Sequence, residues 1–169
     1  MSILIYAESA EGKIKKVAFE LASYAKKVAA SMGTTVTAVT INNSDNSALA
    51  AYGVDKVLNV SNDKLNNFSA KAYADVIAQA AKKEGTQIVL VSSSTDSLYL
   101  APLVAVALEA GYASNVVALP VSTSPFQVKR TAFSNKAFNI TEISTPVKVL
   151  GIAKNSFGLV EDAVSMTEE

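Results

Sequence analysis

Neither cysteine nor histidine occurs among the 169 residues, and a single arginine, Arg130, accompanies the lysines. Without cysteine there are no disulfides and no thiol chemistry. Without histidine there is no Ser-His-Asp triad, no imidazole general base and no histidine-containing metal site. Fifteen basic residues balance fifteen acidic ones. That balance removes the electrostatic footprint of a nucleic-acid binder or of a peripheral membrane protein. No apolar run approaches the roughly 18–20 residues of a membrane-spanning helix, so no membrane insertion is expected. The opening "MSILIYAESAEGK" has a short apolar run with no basic region before it, which reads as a first strand and not as a signal peptide. A cytoplasmic protein is the expectation.

What is present is aliphatic: half of the residues are hydrophobic, enough for one sizeable core. Residues 3–7 form a continuous apolar run of the kind buried on both faces of a parallel sheet. Val17, Leu21, Tyr24 and Val28 then recur at helical spacing, with Lys15, Lys16, Lys26 and Lys27 on the wet side and Gly33 as the stop. Strands are expected at 35–41, 57–60 and 88–91, with a short helix at 48–52 closed by Gly53. Ser69 caps the next helix, whose apolar stripe is Tyr73, Val76, Ile77 and Ala80. A further helix ends near Gly111, and Pro102 belongs in its first turn, because deeper inside a helix it costs about 3 kcal/mol. From there the pattern turns to strands at 116–121, 126–133, 137–143 and 147–152, the middle two joined by Ser134-Asn135-Lys136 as a hairpin. The expected fold is a three-layer α/β/α sandwich with a mostly parallel, doubly wound sheet plus antiparallel C-terminal strands. The segment "GLVEDAVSMTEE" reads as a linker or a fraying terminus.

In such a sheet, ligands bind beyond the carboxyl ends of the strands where the strand order reverses. Here that crevice is expected to be lined by Ala7, Glu8 and Ser9, by Asn42 and Asn43, and by Ser92, Ser93, Ser94, Thr95 and Asp96. The hydroxyl cluster is where a nucleotide phosphate would sit, yet it has neither the glycines nor the lysine of a phosphate loop. Glu8 and Asp96 would also repel an anion. Helix capping by the hydroxyls is the leading reading, ahead of a bound nucleotide. A divalent cation on Glu8 and Asp96 comes after both. Tyr24, Tyr73 and Tyr99 read as core or partner-facing, and the lysine runs as solvated faces. Arg130, close to Lys129 and Lys136 on the hairpin, is either a surface ion pair or an interface anchor.

Residues 49–62, "LAAYGVDKVLNVSN", carry a more specific signal. They resemble the Ala-Tyr-Gly-Ala-Asp-Lys-Val segment of the electron transfer flavoprotein alpha subunit, amino-terminal domain. The resemblance extends to "ILIYAE" at 3–8, "AYADVIAQAAKKEGTQIVLVSSST" at 72–95, Ala101-Pro102, "SNVVAL" at 114–119, "RTAFSNKAF" at 130–138 and "KNSF" at 154–157. In the last two, the family pattern reads Arg-Pro-Val-Tyr-Ala-Gly-Lys-Ala and Arg-Pro-Asn-Ala-Phe. The chain departs from the family after the fourth strand, where Phe-Gly-Lys/Arg-Asp-Leu-Ala-Pro-Arg is replaced by the run from Asp96 to Leu103.

The resemblance implies a domain over residues 1–153, with 154–169 as a linker toward an FAD-binding domain that this chain lacks. It implies an architectural component of a heterodimer with the electron transfer flavoprotein beta subunit, with no catalytic residues of its own. Dehydrogenases would supply the electrons and a quinone oxidoreductase or another acceptor would take them. FAD would be bound mainly by the absent second domain and AMP by the beta subunit, leaving no cofactor expected on this fragment and no metal. Partner contacts are expected at Arg130, Phe133, Lys136, Phe138 and Phe157, as an apolar patch larger than a typical monomer shows. The rival reading is a stand-alone adenine-nucleotide-binding protein of universal-stress-protein-like fold. An enzyme of the nucleotide-hydrolysing type is a distant third.

Overall fold

The computed structural model describes residues 2–169. Strand β1 (Ser2–Tyr6) is buried along its whole length and sits at the centre of the sheet. A small hairpin, β2 (Ser9–Ala10) and β3 (Lys13–Ile14), leads into α1 (Lys16–Met32). Gly33 ends this helix at φ 64°, its amide reaching back to the Ala29 carbonyl, a left-handed cap that favours glycine. Strand β4 (Thr35–Ile41) follows, then a 3-10 turn over Ser47–Tyr52, β5 (Lys56–Val60), α2 (Ala70–Glu84) and β6 (Ile88–Ser92). The rest comprises α3 (Thr95–Ala107), β7 (Gly111–Val116), β8 (Ser122–Thr123), β9 (Phe126–Ala132), β10 (Ala137–Glu142), β11 (Lys148–Ile152) and β12 (Thr167–Glu168).

The strand order is β10-β9-β7-β11-β6-β1-β4-β5-β12, with β8 pairing to β9. From β7 to β12 along that order the pairs are parallel, and β9 pairs antiparallel with β7, β8 and β10. Alternation along β1 divides the core. Ile3, Ile5 and Ala7 pack under α1 with Leu21, Tyr24 and Val28, whereas Leu4 and Tyr6 pack under α2 and α3 with Ile77, Leu100 and Val104. The three-layer, mostly parallel, doubly wound arrangement with antiparallel C-terminal strands is therefore present.

Three local expectations are corrected. Strand β7 occupies 111–116 and not 116–121, and Gly111 opens it instead of ending a helix. The helix has already stopped at Ala107, and Glu109 makes the turn at φ 51°. Glycine is needed at 111 for a different reason: a Cβ there would lie 2.5 Å from Ile143 Cγ2. Pro102 is the second correction. It lies within α3 well past the first turn, because the helix starts at Thr95 behind the Ser94 cap.

The third concerns the C-terminal segment, which does not fray. Thr167 and Glu168 pair in parallel with Lys56 and Val57. The Asn59 amide donates to the Glu169 carbonyl at 2.9 Å, and Lys56 Nζ lies 2.9 Å from the Glu169 carboxylate, which Lys83 also contacts. Strand β5 would otherwise be a bare edge with an open row of backbone groups, and the strap covers it.

Candidate functional site

The chain leaves β1 for β4 through α1 on one side and reaches β6 on the other side of β1, so the strand order reverses between β1 and β6. Glu8 follows β1 and the hydroxyl loop follows β6, and the structure brings them together. The Glu8 side chain is only 3% exposed. Its Oε1 accepts hydrogen bonds from Ser94 Oγ at 2.7 Å, from Ser97 Oγ at 2.8 Å and from Ser92 Oγ. Its Oε2 faces Lys15 Nζ at 3.4 Å. Burial acts to raise the Glu8 pKa, but the hydroxyls of Ser92, Ser94 and Ser97, with Lys15, outweigh it and hold the carboxyl below its ordinary range. The neighbouring Tyr6 phenol is pushed far up, chiefly by burial and then by the negative charge of Glu8.

The hydroxyls also do the capping expected of them. Ser94 accepts from the Ser97 amide at 3.1 Å and Ser92 accepts from the Ser94 amide at 3.1 Å. Ser93 Oγ is buried and has no hydrogen-bond partner among the described residues. Thr95 is exposed at the first position of α3, and Asp96 sits in its first turn, where the helix dipole favours a carboxylate. Asn42 ties its loop to the one after β5, donating to the Asn62 carbonyl and to Asn66, whereas Asn43 donates within its own loop to Asn46 and the Asp45 carbonyl and keeps a buried Oδ1 without a partner among the described residues.

In front of Glu8 lies a cleft of about 320 Å³ lined by Tyr6, Lys15, Asn42, Phe68, Tyr73 and Asp96, among others. Tyr73 stands edge-on to Tyr6 at 6.2 Å and to Phe68 at 5.1 Å. Ser97 and Lys15 are the members of the site that sequence reasoning missed. The spacing Ser94-x-x-Ser97 is that of a cap and its third helical residue, and it was the available signal.

This crevice does not fit a nucleotide phosphate. Three of its hydroxyls donate to a buried carboxylate, and a second anion would have to be desolvated beside it. Among the described residues no group of three or more His, Cys, Asp or Glu side chains is arranged to hold a metal ion.

At the far end of the sheet, β10 is the outer strand and its hairpin exposes apolar side chains. Phe133 is 83% exposed, Phe138 61% and Ile140 52%. Lys129 Nζ sits 4.3 Å over the Phe138 ring. Arg130 is half-buried, donates from Nη2 to Ser114 Oγ at 3.0 Å, and has a buried Nε with no partner among the described residues. Lys136 is exposed in the turn. Phe157 differs from the other two phenylalanines: it is half-buried and stands edge-on to Tyr24 at 5.6 Å, against the core. Tyr24 is fully buried with its hydroxyl on the Ala118 carbonyl, whereas Tyr99 is exposed on α3 with Leu98, Leu103 and Val106. That outer face of α3 is a second uncovered apolar surface.

A family model described as the electron transfer flavoprotein domain matches residues 3–168. The electron transfer flavoprotein subunit alpha of Thermoanaerobacterium thermosaccharolyticum is 33% identical over 122 residues, covering 70% of this chain and 37% of that protein. The subunit alpha of Bacillus subtilis is 24% identical over 165 residues, covering 96% and 50%. A lactate dehydrogenase (NAD(+),ferredoxin) subunit of Acetobacterium woodii is 30% identical over 150 residues, covering 85% and 36%. The chain thus spans between about a third and a half of the length of these relatives. With the matched fold in place, the chain belongs to the electron transfer flavoprotein domain family and corresponds to the amino-terminal domain of its alpha subunits.

Proposed function

We propose that this domain is the architectural, partner-binding part of an FAD-containing heterodimer. It associates with an electron transfer flavoprotein beta subunit, and the assembled flavoprotein carries electrons from dehydrogenases to a quinone oxidoreductase or another acceptor. In this reading residues 1–153 are the body of the domain, and 154–169, which lie against it and close the β5 edge through β12, lead on toward a second domain that holds most of the FAD. AMP belongs to the beta subunit in this reading, and no side chain of this domain is catalytic. The proposed compartment is the cytoplasm; no helix among the described residues is long and apolar enough to cross a membrane.

The observation that carries the reading is the uncovered apolar hairpin at the edge of an otherwise well-packed sheet, with Phe133, Phe138 and Ile140 outward. Arg130 and Lys136 form its polar rim, as interface anatomy requires. Phe157 contributes to it only through its half-buried ring. Family membership and the Glu8-filled crevice both count against a stand-alone adenine-nucleotide-binding protein.

Co-expression with a beta subunit and an alpha-subunit FAD domain is expected to give a yellow complex that co-elutes. Phe133→Glu with Phe138→Glu is expected to abolish co-elution while leaving the melting temperature of the isolated chain nearly unchanged, since exposed substitutions fall within about 0.5 kcal/mol. A colourless mixture without association would refute the reading.

A further inference from the structure

The two edges of the sheet are treated differently. Strand β12 closes β5, whereas β10 ends the other side with no strand beyond it among the described residues. Strand β10 pairs with β9 without a break along all six of its residues. The inner ladder shows which of its backbone groups are left over. The Ile143 amide donates to the Phe126 carbonyl, and on the far side of β9 the Lys129 carbonyl accepts from Val117 and the Gln127 carbonyl from Val121. Antiparallel alternation then turns the backbone groups of Ala137, Asn139 and Thr141 toward β9 and those of Phe138, Ile140 and Glu142 outward. An open row of this kind is a template for another strand.

We infer that β10 is a strand-addition edge that pairs antiparallel with the β10 of a second copy of this chain, across a two-fold axis at Asn139. Outward groups must face outward groups, and setting Phe138 against Ile140 of the second copy lets each such pair exchange both N–H···O bonds. Phe138 and Ile140 share one face and are 61% and 52% exposed, so this register gathers them from both copies into one apolar cluster. It also brings Lys136, at the base of the turn, opposite Glu142 of the second copy, and by symmetry the reverse. Sliding by two residues either way sets Phe138 against Glu142 or Ile140 against Lys136 and loses both matches. The balanced net charge of the chain imposes no repulsion between copies. A contact confined to one strand is small, so the dimer is weak, with Kd on the order of 100 µM, and the dilute chain stays monomeric. The beta subunit proposed above would compete for the same edge, but the self-pairing rests on β10 alone.

Sedimentation equilibrium of the 169-residue chain, from about 10 µM to about 1 mM, reads the pairing directly. The weight-average mass is expected to rise from 17.7 kDa toward twice that value. The chain has no cysteine, so single introduced cysteines report the register. Asn139→Cys sits on the axis and is expected to form a disulfide-linked dimer on mild oxidation about tenfold faster than Thr141→Cys, whose copies the axis holds apart. Lys136→Glu sets like charges opposite each other on both sides of the axis. It is expected to weaken association about three- to tenfold, and adding Glu142→Lys to restore it. A mass that stays at 17.7 kDa at about 1 mM overturns the inference. So does cross-linking of Thr141→Cys as fast as Asn139→Cys, or a double charge reversal that associates no more tightly than the single one. Failure of a beta subunit to bind would leave all of these results untouched, so the two readings fail separately.

Discussion

Replacing Glu20 by alanine should unpick the chain that follows β11. Glu20 lies on α1 and is 7% exposed, an unusual place for a charge. Its Oε1 accepts from the amides of Phe157 and Gly158 at 3.0 and 3.1 Å, and its Oε2 from the amide of Asn155 at 3.0 Å. Hydrogen bonds to a charged group contribute about 1.5–3 kcal/mol each, but Asn155 and Gly158 are exposed and water recovers much of what they lose. The half-buried Phe157 amide loses most, and the space left on α1 adds to the cost. A loss of about 3 kcal/mol is expected, or about 6–12 °C in Tm for a chain of this length. Glu20→Gln should lose about half as much, because its single carbonyl serves only one side of the turn. Burial raises the Glu20 pKa, but the backbone donors led by Phe157 and Gly158 outweigh it and hold the group below its ordinary 4.5. A depressed folded pKa means that this stabilisation is complete above 4.5 and is lost as the pH falls through the lowered value. Urea unfolding of wild type, Glu20→Ala and Glu20→Gln, at pH 7 and at steps below 4.5, measures both effects. A loss under about 0.5 kcal/mol at neutral pH, or a wild-type advantage that grows on acidification, would refute the reasoning.

Pro102→Ala is expected to stabilise the chain by about 1–3 kcal/mol, by restoring the helical hydrogen bond to the Leu98 carbonyl; a lower melting temperature would show that the ring serves packing instead. Tyr24→Phe keeps the buried ring but leaves the Ala118 carbonyl without its 2.9 Å partner, so a loss of about 1 kcal/mol should appear in thermal melts. The Glu169 carboxyl is drawn down to about 2 by Lys83 and then Lys56, so the strap should hold above 4.5 and loosen as the pH approaches 2. Glu169→Gln should loosen it already at neutral pH, read as faster hydrogen exchange at the Asn59 amide; unchanged exchange would mean that the backbone pairing alone suffices.

The parallel half of the fold was legible because its strands are aliphatic runs and α1 and α2 carry helical stripes. Strand β7 was displaced by five residues because Gly111 reads equally as a helix stop and as a close approach, and only the position of Ile143 decides between them. Helix α3 gave no periodic signal: its outer face is as apolar as its inner one, so Leu98, Tyr99, Leu103 and Val106 offered no wet side by which to phase it. Strand β12 is two residues long and polar, and it is held by the open edge of β5 together with Lys56 on that strand and Lys83 on α2. At the crevice, Glu8 and the serines could be named from their positions after β1 and β6, but whether they would meet a ligand or one another depended on side-chain direction.

That outcome bears on what the carboxyl edge of the sheet is for. In doubly wound folds this edge is where small molecules bind, and its loops normally leave donors unspent. Here two carboxylates from the α1 side of the chain take those donors. Glu8 gathers the hydroxyls after β6, and Glu20 gathers the amides after β11. Each charge is turned inward and satisfied, so its energy goes to fixing loops and not to holding a ligand. Ser93 Oγ and Asn43 Oδ1 are the buried polar atoms left without partners along this edge among the described residues, whereas the exposed apolar side chains lie elsewhere, on the outer face of α3 and on the β9–β10 hairpin. A ligand edge closed by the chain's own side chains, with exposed apolar groups gathered on α3 and the β9–β10 hairpin, is the arrangement that the proposed partner-binding role requires.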